Sequence, residues 1–341
     1  MKKNLMILSL LVFFVLMAYG QEKKYALYSV AFYNMENLFD TIHDEGKNDY
    51  EYLPNGTNQW NSMKYKAKLK NMSEILSKLS TDKLPMGPAI IGVSEIENYR
   101  VLEDILKQPA LIDRNYKYIH YEGEDRRGVD CAFFYNPKLF ELSNSKLVPY
   151  VYINDTVHKT RGFLIASGYI AGEKMHFIVN HWPSRAAASA ARERAGEQVR
   201  AIKDSLLRED SAAKVVIMGD MNDDPMDKSM AVALGAKRKP ADVGPEDLYN
   251  PWWDTLKKGY GTLMYRGKWN LFDQIVFTGN MLGNDRSSLK YYKHEIFRRD
   301  FMFQKEGKYK GYPKRTQAGG VWLNGYSDHL PTIIYLIKEV K

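Results

Sequence analysis

The sequence predicts an α/β (α+β) fold, a four-layer sandwich of two packed mixed β-sheets flanked by helices. Three observations lead there. Short apolar runs rich in β-branched and aromatic residues recur along the chain, apolar stripes of helical period stand between some of them, and strands outnumber helices without regular alternation. An open α/β sheet satisfies the same pattern and stands as the alternative.

Taken in order, the first feature is an address rather than structure. Lys2 and Lys3 precede an unbroken apolar stretch at 5–17, followed by Ala18-Tyr19-Gly20, which predicts a cleaved signal peptide over 1–20 and export to the periplasm or medium. A stretch of about 13 apolar residues falls short of the roughly 20 that a spanning helix needs. Strands are expected at 26–33, 89–93, 131–135, 163–170, 175–179, 214–218, 272–278 and 332–337. Helical stripes run through Tyr65, Leu69, Met72, Leu76 and Leu79, and through Ala195, Val199, Ile202 and Leu206. The polar stretch 41–61 reads as a flexible acidic insertion, with Asp44, Glu45 and Asp49 as an alternative second cation site.

Composition narrows the class. Of 341 residues 45% are hydrophobic and 26% charged, which excludes a disordered or collagenous chain. The net charge of +8 suits acidic partners such as phosphates. Cys131 is the single cysteine, so no internal disulfide forms; inside its apolar run it reads as a buried, inert thiol. Tyr135, at the end of that run, reads as core.

The unusual polar residues fall where apolar runs end or begin: Asn34, Glu95, His181, Asp220 with Asn222, and Asp328 with His329. A sheet gathers such ends. As strings they are far more specific than as single residues. Asn34-Met35-Glu36-Asn37, Ser94-Glu95-Ile96, Asn180-His181-Trp182, Gly219-Asp220-Met221-Asn222, Phe272-Asp273-Gln274 and Ser327-Asp328-His329-Leu330-Pro331 occur in that order. The chain resembles the endonuclease/exonuclease/phosphatase superfamily, the deoxyribonuclease-like metal-dependent phosphoesterases, and within it the exported bacterial branch. Because motifs that must share one site run from Asn34 to His329, a single domain over 21–341 is expected.

The resemblance implies a site. Glu95 is the principal metal ligand, with Asn34 and Asp328 beside it, an all-oxygen set that suits Mg²⁺, with Mn²⁺ as substitute, better than zinc. Asp220 orients and deprotonates the attacking water, and the Asn222 amide donates to a phosphoryl oxygen. Asp273 keeps His329 protonated, and His181 is a second cationic donor, with Asp130 a candidate to orient it. Arg161 and Arg185 are placed to meet substrate phosphate; Arg126 and Arg127 are weaker candidates.

Substrate choice rests on loops. The segment from Arg298 to Phe303, with Lys305, Lys308, Lys310, Lys314 and Arg315, interleaves cations with rings, as does the stretch 260–269. Such surfaces suit a nucleic-acid strand. An endonuclease or phosphodiesterase acting on nucleic acid, as a monomer without membrane insertion, is the first reading. An inositol-phosphate phosphatase or sphingomyelinase-type enzyme is the second, for which Asn250-Pro251-Trp252-Trp253 could serve as a membrane-touching tip. A non-catalytic binding module is the third.

Overall fold

The computed structural model describes residues 23–153, 155 and 157–340, so the expected signal peptide lies outside the described residues. Every expected strand is present, several extended to the polar residue at its end. They are Lys24–Leu38 (β1), Ile90–Ile96 (β2), Asp130–Tyr135 (β4), Phe163–Ile170 (β6), Glu173–His181 (β7), Lys214–Asp220 (β8), Asp273–Thr278 (β13) and Thr332–Val340 (β17). Between them lie strands with little apolar pattern: Lys117–His120 (β3), Glu141–Val148 (β5), Ala236–Lys237 (β9), Leu248–Tyr249 (β10) and Lys290–Ile296 (β14). Two small hairpins, Leu263–Tyr265 with Lys268–Asn270 (β11, β12) and Gln317–Ala318 with Val321–Trp322 (β15, β16), project from the loops.

Two mixed sheets carry the fold, in strand orders β14-β17-β1-β2-β4-β3 and β5-β6-β7-β8-β13-β10-β9. Each contains a parallel pair, β1 with β2 and β7 with β8, and each pair is joined through a long helix, as a parallel connection requires. These helices are Ser62–Lys78 (α1) and Ser189–Glu209 (α3); two shorter ones are Tyr99–Leu106 (α2) and Trp253–Lys257 (α4). Asn61 caps α1 by accepting from the Lys64 N–H, and Asn98 caps α2 by accepting from the N–H groups of Arg100 and Val101.

Alternation along each strand sorts side chains into layers. On β1, Val30 and Phe32 face a core between the sheets that includes Phe133, Phe177, Met218, Ile275 and Ile334; Ala31 and Tyr33 face the layer of α1 and α2. Val215 and Ile217 of β8 face α3 on the opposite side. The result is the expected helix–sheet–sheet–helix sandwich. Cys131 and Tyr135 are buried as expected, and burial pushes the Cys131 thiol well up, away from its reactive thiolate form.

Two expectations change. The stretch 41–61 is packed down: Arg100 holds Asp40 and Asp44 at 2.6 Å each, Asp49 is buried against His43, and Trp60 is fully buried. Asp44 and Asp49 are engaged by Arg100 and His43, while Glu45 is exposed to solvent, so the three are not gathered as a second cation site. Trp252 is no membrane-touching tip; it is fully buried and donates its indole N–H to the Ile275 carbonyl at 2.9 Å. Among the described residues no helix is long and apolar enough to cross a membrane.

Gly219 shows why the site's backbone needs a particular residue. A Cβ there would lie 2.3 Å from the Asn180 carbonyl oxygen of the neighbouring parallel strand. Backbone cannot yield as a flexible side chain does. Gly219→Ala is predicted to lower stability by about 1–3 kcal/mol or more and to displace Asp220; thermal unfolding and activity would both fall, and an unchanged melting temperature would contradict the close packing.

Candidate active site

The polar strand ends meet at one edge of the sandwich. Asn34 ends the motif part of β1, Glu95 lies in β2, His181 and Asp220 close β7 and β8 as register partners, and Asp273 opens β13 opposite Asp220. Asp328 and His329 lie just before β17, which runs antiparallel to β1 and so begins at the same edge. Both sheets contribute.

Contacts join these residues into one cluster. The Asn34 amide nitrogen donates to Glu95 Oε1 at 3.1 Å and to Asp220 Oδ2 at 3.0 Å. Its oxygen accepts from the Glu36 N–H at 2.9 Å, which fixes the amide's orientation. Asn34 therefore clamps the two carboxylates with N–H groups rather than offering them a neighbouring oxygen ligand. Glu95 takes a second hydrogen bond at Oε2 from the Asn37 N–H at 3.0 Å. The backbone is left-handed at several of these positions: Glu36, Asn37, Glu95 and Asn222 all hold positive φ, from 46° to 58°, a conformation uncommon for residues with a side chain.

His329 is the charged histidine. Its Nδ1 lies 2.7 Å from Asp273 Oδ2, and its Nε2 lies 3.8 Å from Asp220 Oδ2. Burial opposes its charge, but Asp273 and Asp220 together outweigh burial and raise its pKa well above the ordinary value. Asp220 is itself buried and pushed up to about 7, by burial first, with His329 pulling the other way. His181 differs from the expected cationic donor. Burial, then the positive charges of Arg161, Arg127 and His329, drive its pKa well down, so it is a neutral imidazole. Its Nε2 sits 3.7 Å from Glu95 Oε1 and 3.8 Å from Asp220 Oδ2, while its buried Nδ1 has no hydrogen-bond partner. Asp130 does not orient it; that carboxylate is taken by His120 and the Gly123 N–H, both at 3.1 Å.

Both arginines are engaged by acids of the protein itself, Arg161 in the interior and Arg185 at the surface. Arg161 is buried, paired with Asp125 at 3.0 Å, and donates to the Trp182 carbonyl at 2.8 Å. One N–H of Asn222 reaches the same carbonyl at 3.0 Å, so Arg161 and Asn222 together hold the turn after His181. Arg185 pairs with Asp227 at 2.8 Å and with Asp224 and Asp223 at 3.4 Å, and lies over the Phe272 ring. Neither arginine is placed on an open phosphate position. Arg298 is likewise engaged, over the rings of Trp269, Phe303 and Tyr260, while Lys305, Lys308 and Lys310 stay exposed.

A second network borders the cluster, and the sequence reading passed over it. Arg315 bridges Glu36 at 2.7 Å and Asp328 at 3.0 Å, and fully buried Lys68 approaches Glu36 at 4.0 Å while donating to the Tyr326 carbonyl. The signal for Lys68 was available: it stands three residues after Tyr65 and four before Met72, inside the apolar stripe of α1.

The donor chemistry fits a hard cation. Glu95, Asp220 and Asp328 are oxygen donors at a partly open edge, each Glu95 oxygen keeps a lone pair beyond its one hydrogen bond, and ligand atoms of Glu95, His181 and Asp220 lie within 4.8 Å of one another.

A two-sheet sandwich with carboxylates, a charged His–Asp pair and a second imidazole at one edge defines a phosphoesterase-type site. The profile of the Endonuclease/Exonuclease/phosphatase family matches residues 29–338, and the chain belongs to that family, whose members are metal-dependent phosphoesterases. No curated protein matches in sequence. Solved structures share the fold: a mannosyl-6-phosphatase of Bacteroides thetaiotaomicron (16% identity, TM-score 0.55, covering 91% of this chain and 99% of that one); D. rerio TDP2 with single-strand DNA product (14%, 0.52, 91% and 99%); and the human Nocturnin catalytic domain with bound sulfate (14%, 0.54, 93% and 98%).

The His329–Asp273 pair generates a pH prediction. Because folding raises the His329 pKa, the pair's stabilisation is complete below about 6.5, the ordinary histidine value, and is lost as pH rises through the raised folded value. Asp273→Asn is therefore predicted to lower the melting temperature more at pH about 6 than at pH about 10, and to bring the His329 titration, followed by NMR, down toward the ordinary range. Equal destabilisation at both pH values would contradict the pairing.

Proposed function

We propose that this protein is a divalent-metal-dependent hydrolase of phosphate esters, cleaving by one-step in-line attack of water. The observation that carries the reading is the contact chain from Glu95 through Asn34 to Asp220 and on to His329 and Asp273, drawn from both sheets. Mg²⁺, or Mn²⁺ in its place, held by Glu95 and Asp328, would neutralise charge on the phosphate and leaving oxygen. Asp220 accepts the proton of the attacking water; a carboxylate held up to about 7 is a better base than an ordinary one. His329, kept protonated by Asp273, donates from Nε2 to a phosphoryl oxygen as charge develops there. His181 adds a neutral N–H to the same pocket, and the second N–H of Asn222 is free for the phosphate. Arg161 acts by holding the His181–Trp182 turn in place.

Nucleic-acid phosphodiesters are the first substrate class. The net charge of +8, the exposed Lys305, Lys308 and Lys310, and a fold neighbour solved with single-strand DNA product support it. A compact phosphomonoester is the second, favoured by the pairing of Arg161 with Asp125 and of Arg185 with Asp223, Asp224 and Asp227, and by the small polar cavity described below. Export through residues 1–20, as a single-domain monomer, completes the proposal.

Plasmid DNA, a synthetic phosphodiester and a phosphomonoester, each assayed with magnesium and with chelator, separate the readings. Turnover of at least one, lost on chelation, is the expected result; none at all would favour a binding module. Asp220→Asn is predicted to cut the rate by about 10³-fold or more with unchanged thermal unfolding, and His329→Ala to act in the same direction. Near-normal turnover of the Asp220 variant would remove that carboxylate from the mechanism.

A further inference from the structure

Beside the metal-type cluster lies a cavity of about 200 Å³ that the chemistry above leaves unused. It shares walls with the reaction centre. Glu36 lines it, two residues after Asn34, and Arg315, which also lines it, is the residue that grips Asp328. Asn37, whose N–H holds Glu95, lines it too. Through these residues the cavity adjoins the cluster.

The lining has a definite chemistry. Glu51, Asn58 and Gln317 supply carboxylate and amide groups at its mouth, and Tyr52 supplies a ring held rigid by stacking on Phe39 at 4.2 Å and an edge contact from Trp60 at 5.8 Å. The side-chain oxygen of Gln317 is buried with no hydrogen-bond partner in the protein, a state that costs free energy unless a ligand or water donates to it. An apolar group would leave the Gln317 oxygen stranded, and a second anionic group would meet Glu36 and Glu51, with the one lining cation, Arg315, already paired to Glu36 and Asp328. A neutral group carrying several hydroxyls satisfies both, donating to the acceptors while its C–H face lies on Tyr52. At about 30 Å³ per water, the cavity has room for roughly six waters' worth of ligand, the scale of one sugar ring.

The far wall is built for close approach. The β15–β16 hairpin turns through Gly319 and Gly320, with φ of 55° and 78°, the two-residue turn that favours glycine at both positions. Bare glycines leave the cavity rim open toward solvent, and a Cβ at either would meet nothing within 4 Å. The hairpin is therefore a thin wall that presents Gln317 without crowding a ligand.

The geometry points to this cavity as a subsite for a sugar ring with free neighbouring hydroxyls, joined to the phosphate that the reaction centre cleaves. This rests on the phosphoester reading and names the substrate class within it. Such a ring comes either from a hexose phosphate or from the ribose of a nucleotide; a deoxyribose, lacking the neighbouring hydroxyl, fits poorly.

The test uses the full chain with magnesium. Glucose 6-phosphate, ribose 5-phosphate, 2-deoxyribose 5-phosphate and p-nitrophenyl phosphate are compared as substrates, and free glucose and ribose as ligands by saturation-transfer NMR. The expected result is a preference of about tenfold or more in kcat/KM for glucose 6-phosphate or ribose 5-phosphate over the deoxy and p-nitrophenyl esters, with whichever of the two is preferred identifying the source. Gln317→Ala and Asn58→Ala, made separately and checked for folding by thermal unfolding, are expected to shrink that ratio through KM and to weaken the NMR signal. Turnover of p-nitrophenyl phosphate with no sugar preference and no sugar binding would overturn the subsite while leaving the hydrolase reading intact. Sugar binding without turnover of any ester would do the reverse. Parallel loss of kcat on all esters in both variants would also overturn it, because a binding role must show as a change in preference.

Discussion

The structure is organised by the burial of negative charge. Asp220 and Asp273 are almost completely buried, and Asn34, His329 and the edge where a cation fits surround them. Isolated, such carboxylates would be too costly to keep ionised. His329 compensates part of the charge, which is why its pKa rises despite burial, while burial first, then Asp273 and Glu95, raise Asp220 to about 7. On the proposed reading, a divalent cation would complete the balance. Removing Asp273 would leave the buried His329 charge unpaired, a loss of about 3–5 kcal/mol for a buried ion pair, whereas Asp220, whose charge is already disfavoured by its surroundings, can be neutralised at little cost in stability.

The sandwich delivers these groups with little freedom. Parallel pairing of β1 with β2 and β7 with β8, and antiparallel entry of β13 and β17, bring four strand ends and two strand starts to one edge. At that edge the backbone departs from extended form. Four non-glycine residues take left-handed conformations, and Gly219 lies too close to Asn180 to carry a side chain. Such conformations cost some stability, and the core clusters on both sides of each sheet hold them in place.

Much of this was legible in the sequence because buried strands leave apolar runs and their polar ends stand out. All eight expected strands and both helical stripes are present. β3, β5 and β14 were missed because all three lie at sheet edges and carry interspersed polar residues, as in the Glu141–Val148 strand with its exposed Ser143 and Asn144. At the site, residue identities could be read but contacts could not. The sequence shows arginines at 161 and 185, yet only the fold reveals Asp125, Asp223, Asp224 and Asp227 waiting for them. It shows a histidine at 181, yet its neutral state follows from burial beside Arg161. Arg315 was read with the basic loop for a nucleic-acid strand, yet it is held by Glu36 and Asp328, and Glu36 was not assigned, since this pairing spans almost the whole chain.

The central claim is that the converging strand ends hold a divalent cation through Glu95. Titration of Mn²⁺ into the metal-depleted protein, read by calorimetry or electron paramagnetic resonance, tests it most directly when wild type is set beside Glu95→Gln. The account predicts a site in the wild type whose affinity falls by about tenfold or more in the variant while the thermal unfolding of both metal-free proteins stays close. Identical Mn²⁺ affinity in the two proteins would contradict it.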